Sequence, residues 1–152
     1  SYMPKEMQNE MLNNYKYIYK GEKDYKSFMS IQNLKDNFYI DNFNIETFKH
    51  NHGAIDVQTY KIGKFAYSTD LKKFYENDID KLKNLDLWVV GLLRDDPHPS
   101  HAGFDQIIEY VNYLKPKKTI FTHMTALLDE KKLLSKCPEG VLPGFDGMEI
   151  KI

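Results

Sequence analysis

The feature that most constrains the fold is a buried strand, a helix and a second buried strand in the second half of the chain. Residues 87–93 form a continuous apolar run, Leu-Trp-Val-Val-Gly-Leu-Leu, and residues 119–122, Thr-Ile-Phe-Thr, form another. Between them, residues 104–114 carry apolar side chains at helical spacing. Continuous apolar strands joined by a crossover helix are typical of parallel sheets covered on both faces. This segment therefore predicts a β-α-β unit.

The first half predicts a helix followed by an antiparallel meander. Residues 5–12 favour a short helix that ends near Asn13-Asn14, because Met7 and Met11 are four residues apart and Pro4 stands where a first-turn proline is tolerated. The β-rich runs that follow are separated by turn residues and cover 28–34, 38–40, 45–50 and 57–67. A short helix at 129–135 and a last strand at 148–152 complete an α/β order, with strands first and crossover helices after.

Composition narrows the class of protein. A chain of 152 residues with 41% hydrophobic residues suits one compact domain, so we predict a single domain over residues 1–152. Its net charge of −1, with lysines alternating with acids, lacks the basic stripe of a nucleic-acid-binding protein. The lone Cys137 cannot form an intramolecular disulfide, so we expect a cytoplasmic protein. No apolar run approaches the roughly 20 residues of a membrane span, so no membrane partner is expected.

Polar side chains with metal-binding chemistry follow several of the predicted strands. Asp70 follows residues 65–69, His98 and His101 follow the strand at 87–93, His123 follows the strand at 118–122, and His52 comes just after another strand. Loops beyond the carboxyl ends of strands form the ligand crevice of an α/β sheet. Imidazole and carboxylate groups suit zinc, manganese or iron, and a carboxylate can bridge two ions. The pattern favours a dinuclear hydrolytic centre.

Each of these residues also has a structural interpretation. A single histidine near a strand end is more often a surface or capping residue than a ligand. Asp70 would serve as the N-cap of a helix beginning near Lys72, since Asp is a favoured N-cap residue. His50 is expected to be structural.

Four short segments, taken in order, resemble the metallo-β-lactamase superfamily. They are Tyr67-Ser68-Thr69-Asp70, His98-Pro99-Ser100-His101, Thr122-His123-Met124 and Phe145-Asp146-Gly147-Met148-Glu149-Ile150. The resemblance is to the branch that contains the phosphodiesterase of bacterial phosphonate breakdown, and it runs from the first helix to the last residue. It implies the C-terminal half of an αββα sandwich, in which a mixed sheet carries helices on its outer face.

The resemblance also implies roles for the residues. His52, in Asn51-His52-Gly53, would bind one metal, Asp70 would bridge both metals, and His123 would bind the second. His101 would be the catalytic histidine that contacts the phosphate or stabilises the leaving oxygen, and His98 would orient its loop. The cofactor would be two zinc or manganese ions, which activate water to attack a phosphodiester. The substrate class would be a phosphodiester small molecule or a nucleic-acid end.

Departures from the family pattern predict an incomplete site. The family's His-x-His-x-Asp-His signature is absent from the sequence, and Ala126 and Leu127 stand where relatives commonly have His-Asp. Gly91 occupies a position that is often Asp in relatives. We therefore expect no activity from the chain alone, and association as a homodimer or with a separately made N-terminal half. The alternatives are a non-catalytic remnant or subunit, and an unrelated fold that repeats these motifs by chance.

Overall fold

The computed structural model describes residues 1–151 and divides into two compact units. The first unit is Ser1–Phe38 and the second begins at Tyr39. The expectation of one domain stays a prediction.

The first unit contains a small sheet and two helices. Its elements are β1 (Tyr2–Met3), α1 (Lys5–Asn14), α2 (Lys16–Tyr19) and β2 (Gln32–Asn33). The predicted helix is confirmed, and β1 pairs with β2 in parallel. The predicted strand at 28–34 is wrong for most of its length, because the backbone N–H groups of Phe28 and Met29 donate to the Ile18 carbonyl instead of to a neighbouring strand.

A seven-stranded sheet organises the second unit, and its strands lie in chain order. They are β3 (Asn37–Ile40), which begins at the boundary of the units, β4 (Phe43–His52), β5 (Ile55–Ile62), β6 (Phe65–Ser68), β7 (Leu87–Gly91), β8 (Lys118–Thr122) and β9 (Val141–Pro143). Pairing is antiparallel from β4 to β6 and parallel from β6 to β9. The predicted meander and β-α-β unit are confirmed, except that residues 57–67 form two strands, separated by a turn at Gly63.

Short helices connect the parallel strands. They are α3 (Glu76–Ile79), which runs into a 3₁₀ turn (Asp80–Leu82), α4 (Phe104–Leu114) and α5 (Glu130–Lys136). Asp129 caps α5 by accepting from the Lys132 N–H. The predicted last strand is wrong for residues 148–151, where the Met148 N–H donates to the Phe145 carbonyl in a turn, and Ile152 lies outside the described residues. Val141–Pro143 provides the edge strand instead, with the mixed α/β sheet as predicted.

The core lies on one face of this sheet. Alternate side chains, among them Trp88, Val90 and Phe121, are fully buried in the same cluster as Ile107 and Leu114 of α4. Burying a side chain of this size stabilises the fold by about 1.5–3 kcal/mol. The core fixes β6, β7 and β8 against the helices, and so fixes the loops at their carboxyl ends.

The longest helix of the described chain is α4, with 11 residues. No helix among residues 1–151 has the length and apolar content needed to cross a membrane.

Candidate functional site

The carboxyl ends of β4, β6, β7 and β8 lie at one edge of the sheet, because β4 runs parallel to the other three. His52 ends β4, Asp70 follows β6, His101 lies between β7 and α4, and His123 follows β8. Ligand atoms of His52, Asp70 and His101 all lie within 4.8 Å of one another. His123 Nε2 lies 3.1 Å from Asp70 Oδ1. The four residues predicted to form a site are therefore brought together.

His52 is oriented by a hydrogen bond to the neighbouring loop. Its Nδ1 lies 2.9 Å from the Ser100 carbonyl oxygen. Because a carbonyl only accepts, Nδ1 carries the proton and Nε2 keeps a lone pair. The loop packs closely here: Gly53 has φ +75°, and a Cβ at Gly53 would lie 3.0 Å from Ser100 Cβ. The packing of Gly53 against Ser100 helps to hold the His52 imidazole in the tautomer whose Nε2 can bind a metal.

Asp70 is the centre of the cluster. Its Oδ1 accepts from His101 Nε2 at 3.2 Å and lies 3.1 Å from His123 Nε2. The predicted alternative role, an N-cap of a helix near Lys72, is wrong, since the next helix begins at Glu76. Asp70 has φ +54°, an uncommon conformation for a residue other than glycine. Such a conformation is often found where function requires it.

His101 is buried and held at both ring nitrogens. Ser100 Oγ lies 2.9 Å from His101 Nδ1 and 2.9 Å from His98 Nδ1, so the serine joins the two histidines. Burial lowers the pKa of His101; the hydrogen bond with Asp70 opposes this shift, and the nearby His52 adds to it. The neutral ring is thus favoured in the folded protein.

His123 completes the cluster from the other side. It has φ +59°, so both Asp70 and His123 adopt the left-handed conformation directly after or near a strand end. Its ring stacks on that of His101, with 5.5 Å between centroids and 22° between planes. Its side chain is 42% exposed, which leaves the cluster open to solvent on this side.

His98 is joined to the cluster only through Ser100, and His50 lies apart from it. His50 is fully buried, with Nδ1 2.9 Å from Thr59 Oγ1 and Nε2 2.9 Å from the Thr69 carbonyl oxygen. Both nitrogens therefore have protein partners, in agreement with the structural role expected. Burial lowers the pKa of His50, and the hydrogen bond to Thr69 opposes the shift. Sequence reasoning missed Ser100, although a hydroxyl between two histidines was visible in the sequence.

A beta-lactamase superfamily domain, as the matching family is described, covers residues 2–124 of the sequence. The chain belongs to this superfamily. It has the predicted metallo-β-lactamase fold. It is 22% identical to a diphosphatase of the PhnP family, with a TM-score of 0.87 over 99% of this chain and 57% of that chain.

Two further solved structures share the fold. The metallo-beta-lactamase fold protein YhfI from Bacillus subtilis is 13% identical, with a TM-score of 0.71, over 97% of this chain and 62% of that chain. The short form of human tRNase Z is 14% identical, with a TM-score of 0.69, over 99% of this chain and 65% of that chain. The chain thus spans less than two thirds of the length of each of these three proteins.

One similar protein is of a different kind. An octanoyltransferase from Porphyromonas gingivalis is 29% identical over 115 residues, which cover 74% of this chain and 23% of that protein. The match covers about a quarter of that protein, so the name octanoyltransferase describes a much longer polypeptide than this chain.

Proposed function

We propose that this chain supplies His52, Asp70 and His123 to the two-metal site of a hydrolase that cleaves phosphodiesters. The observation that carries the proposal is the Asp70 carboxylate, which lies within 3.2 Å of two histidine nitrogens, with His52 in the same cluster. Two imidazoles and a carboxylate form a donor set that suits zinc or manganese.

The donor atoms fit such ions. His52 offers Nε2 as a ligand while Ser100 holds its other nitrogen, an arrangement usual for metal-bound histidine. Asp70 has a second oxygen, Oδ2, so that its carboxylate can serve two ions. When bound, the ions would supply a water whose pKa is lowered towards neutrality.

His101 would be the catalytic residue. Ser100 holds its Nδ1, so the ring presents Nε2 at the centre of the cluster. With Asp70 engaged by the ions, the Nε2–H that donates to it in this structure would turn to a phosphate oxygen and stabilise the negative charge that develops there. A donor oriented in advance in this way is an effective source of transition-state stabilisation.

The substrate class rests on chemistry and on the names of similar proteins. A diphosphatase and a tRNase both act on phosphorus–oxygen bonds, and both share this fold. With a net charge of −1, the chain is better suited to a phosphodiester small molecule than to a long nucleic acid.

The proposed compartment is the cytoplasm, because the single thiol, Cys137, suits a reducing environment.

The sheet face opposite the core would bind a second sheet. A row of apolar side chains crosses five strands in register on this face: Tyr60, Tyr67, Val89, Ile120 and Leu142. Tyr60, Tyr67 and Leu142 are each more than a third exposed, whereas Ile120 is already buried within this chain. A second copy or a separate N-terminal half would cover the row, and the latter would bring the missing His-x-His-x-Asp-His ligands.

The alternative is a non-catalytic subunit. It is favoured by Ala126 and Leu127, which cannot bind metal; Leu127 is 80% exposed near His123 in sequence. Metal content separates the two proposals, because a working site retains its ions through purification whereas a remnant retains none.

The test has two arms that use bis-(p-nitrophenyl) phosphate with manganese or zinc. The chain alone should bind metal weakly and show no turnover, because three ligands cannot enclose two ions. Co-expression with a chain carrying His-x-His-x-Asp-His should give bound metal and turnover that Asp70→Ala abolishes. A metal-free, inactive complex would favour the non-catalytic subunit.

A further inference from the structure

A chain of hydrogen-bonded polar side chains crosses four strands inside the core. His50 of β4, Thr59 of β5, Ser68 of β6 and Trp88 of β7 are all fully buried. His50 Nδ1 lies 2.9 Å from Thr59 Oγ1, which lies 3.0 Å from Ser68 Oγ. Ser68 Oγ also accepts from Trp88 Nε1 at 3.1 Å. Buried polar groups destabilise a core unless they are paired, and here each has a partner.

At its His50 end, this series of hydrogen-bonded side chains reaches the peptide bond that precedes Asp70. His50 Nε2 lies 2.9 Å from the Thr69 carbonyl oxygen. Since the carbonyl only accepts, the imidazole N–H donates to it. The buried polar chain therefore reaches the backbone of the candidate bridging carboxylate.

Gly91, the last residue of β7, packs against the same peptide. A Cβ on Gly91 would lie 3.1 Å from the Asp70 nitrogen and 3.4 Å from Thr69 Cα. This close approach requires glycine unless Asp70 moves by a few tenths of an ångström. The Thr69–Asp70 peptide is thus restrained by a hydrogen bond from His50 and by close packing against Gly91.

Asp70 needs such restraint. Its φ of +54° lies in the left-handed region, which residues other than glycine adopt uncommonly. A conformation of this kind persists only where the surrounding structure fixes it. A carboxylate in this conformation reaches both His101 and His123.

We propose that His50 is a positioning residue that holds Asp70 in its left-handed conformation through the Thr69 carbonyl. His50 itself touches neither metal nor substrate, because both of its nitrogens are bound to protein groups. The inference deepens the proposed function and rests on it only where metal affinity is measured.

The test compares His50→Leu with His50→Gln. Leucine removes the N–H donor, whereas the glutamine amide places a donor near the position of Nε2 and should restore the bond. In the ¹⁵N,¹³C NMR spectrum, the Asp70 backbone shifts should leave the left-handed range in His50→Leu and stay there in His50→Gln. Trp88→Phe is the matched control: it removes a donor at the far end of the chain and should leave Asp70 in place.

Metal binding gives the second measurement. Titration with Mn²⁺ should show an affinity about 10- to 100-fold weaker in His50→Leu than in the original chain, with recovery in His50→Gln. If the original chain takes up no Mn²⁺ either alone or together with a chain carrying His-x-His-x-Asp-His, the proposed function fails, while the NMR comparison still decides the role of His50. Unchanged Asp70 shifts in His50→Leu would overturn the inference.

A second variant covers the case in which His50→Leu does not fold. Thr59→Val is close in shape and removes the hydroxyl that partners both His50 Nδ1 and Ser68 Oγ, while it leaves the His50 imidazole in place. It should shift the same Asp70 signals in the same direction, by a smaller amount. A folded Thr59→Val protein in which the His50 ring signals move but those of Asp70 do not would contradict the proposal.

Discussion

The two faces of the seven-stranded sheet differ in how completely this chain covers them. On the helix-covered face, Trp88, Val90 and Phe121 are fully buried. On the opposite face, Tyr60 and Tyr67 lie side by side on neighbouring strands. They remain 36% and 37% exposed, although each carries a large aromatic ring. Hydrophobic stabilisation follows the area removed from water, so the two faces should contribute unequally to the stability of the isolated chain.

The largest effect should come from the covered face. Phe121→Ala should lower the free energy of unfolding by about 3–5 kcal/mol, because it opens a cavity in a packed core. Tyr67→Ala on the open face should cost distinctly less, since part of that ring already contacts water. Urea unfolding of both variants measures the difference. Equal losses would mean that the open face is as well packed as the core.

The next effect concerns association through the open face. If the apolar row pairs with a second copy, the double variant Tyr67→Lys, Leu142→Glu should weaken the dimer by about 2 kcal/mol or more, because charges would be buried without partners. Light scattering over a range of concentrations would show it. The control is Tyr113→Lys, an exposed aromatic on α4 outside the row. A monomer at all concentrations, without binding of a hydrophobic dye, would exclude the pairing.

A smaller effect is expected where the strands end. Here Asp70 and His123 have positive φ angles, so the backbone of the candidate site is strained. The buried strand residues of the core do not have such angles. His123→Gly should be more stable than His123→Ala by about 1 kcal/mol, because only glycine adopts this conformation without steric cost. The comparison removes the imidazole in both variants and isolates the strain. If alanine proved as stable as glycine in thermal unfolding, position 123 would not be strained.

Much of this arrangement could be predicted from the sequence, for local reasons. The continuous apolar run at Leu87 and the helical spacing from Phe104 to Leu114 correspond to β7 and α4. Four side chains were predicted to lie together because each follows a strand and the carboxyl ends of parallel strands meet. They are His52, Asp70, His101 and His123. These features depend on periodicity, which a sequence displays directly.

Other features depend on contacts that a sequence does not display. The edge strand formed by Val141–Pro143 is only three residues long, and residues 148–151 contain an alternation that favours a strand but turn back on Phe145. The hydrogen bond of His50 to the Thr69 carbonyl joins residues 19 positions apart. Ser100 binds two histidines through one hydroxyl, a role that only the loop geometry reveals.

The smallest effect lies at the amino ends of the parallel strands, far from the site along each strand. Lys117 forms an ion pair with Asp86 at 2.7 Å, and its hydrogen bond is the main cause that lowers the pKa of the Asp86 carboxyl, with Lys64 adding to the shift. A carboxyl whose pKa is lower in the folded state stabilises the protein above its unfolded pKa of about 3.9, and this contribution disappears as the pH falls through the folded value. Lys117→Met should therefore lower the urea midpoint slightly at pH 7 and leave it unchanged near pH 2. Since Lys117 is 75% exposed, added salt should reduce the difference at pH 7. A difference that persisted in acid would show that Lys117 stabilises the fold through packing of its methylene groups and not through its charge. The amino ends of the parallel strands would then be stabilised mainly by apolar contacts, as the faces of the sheet are.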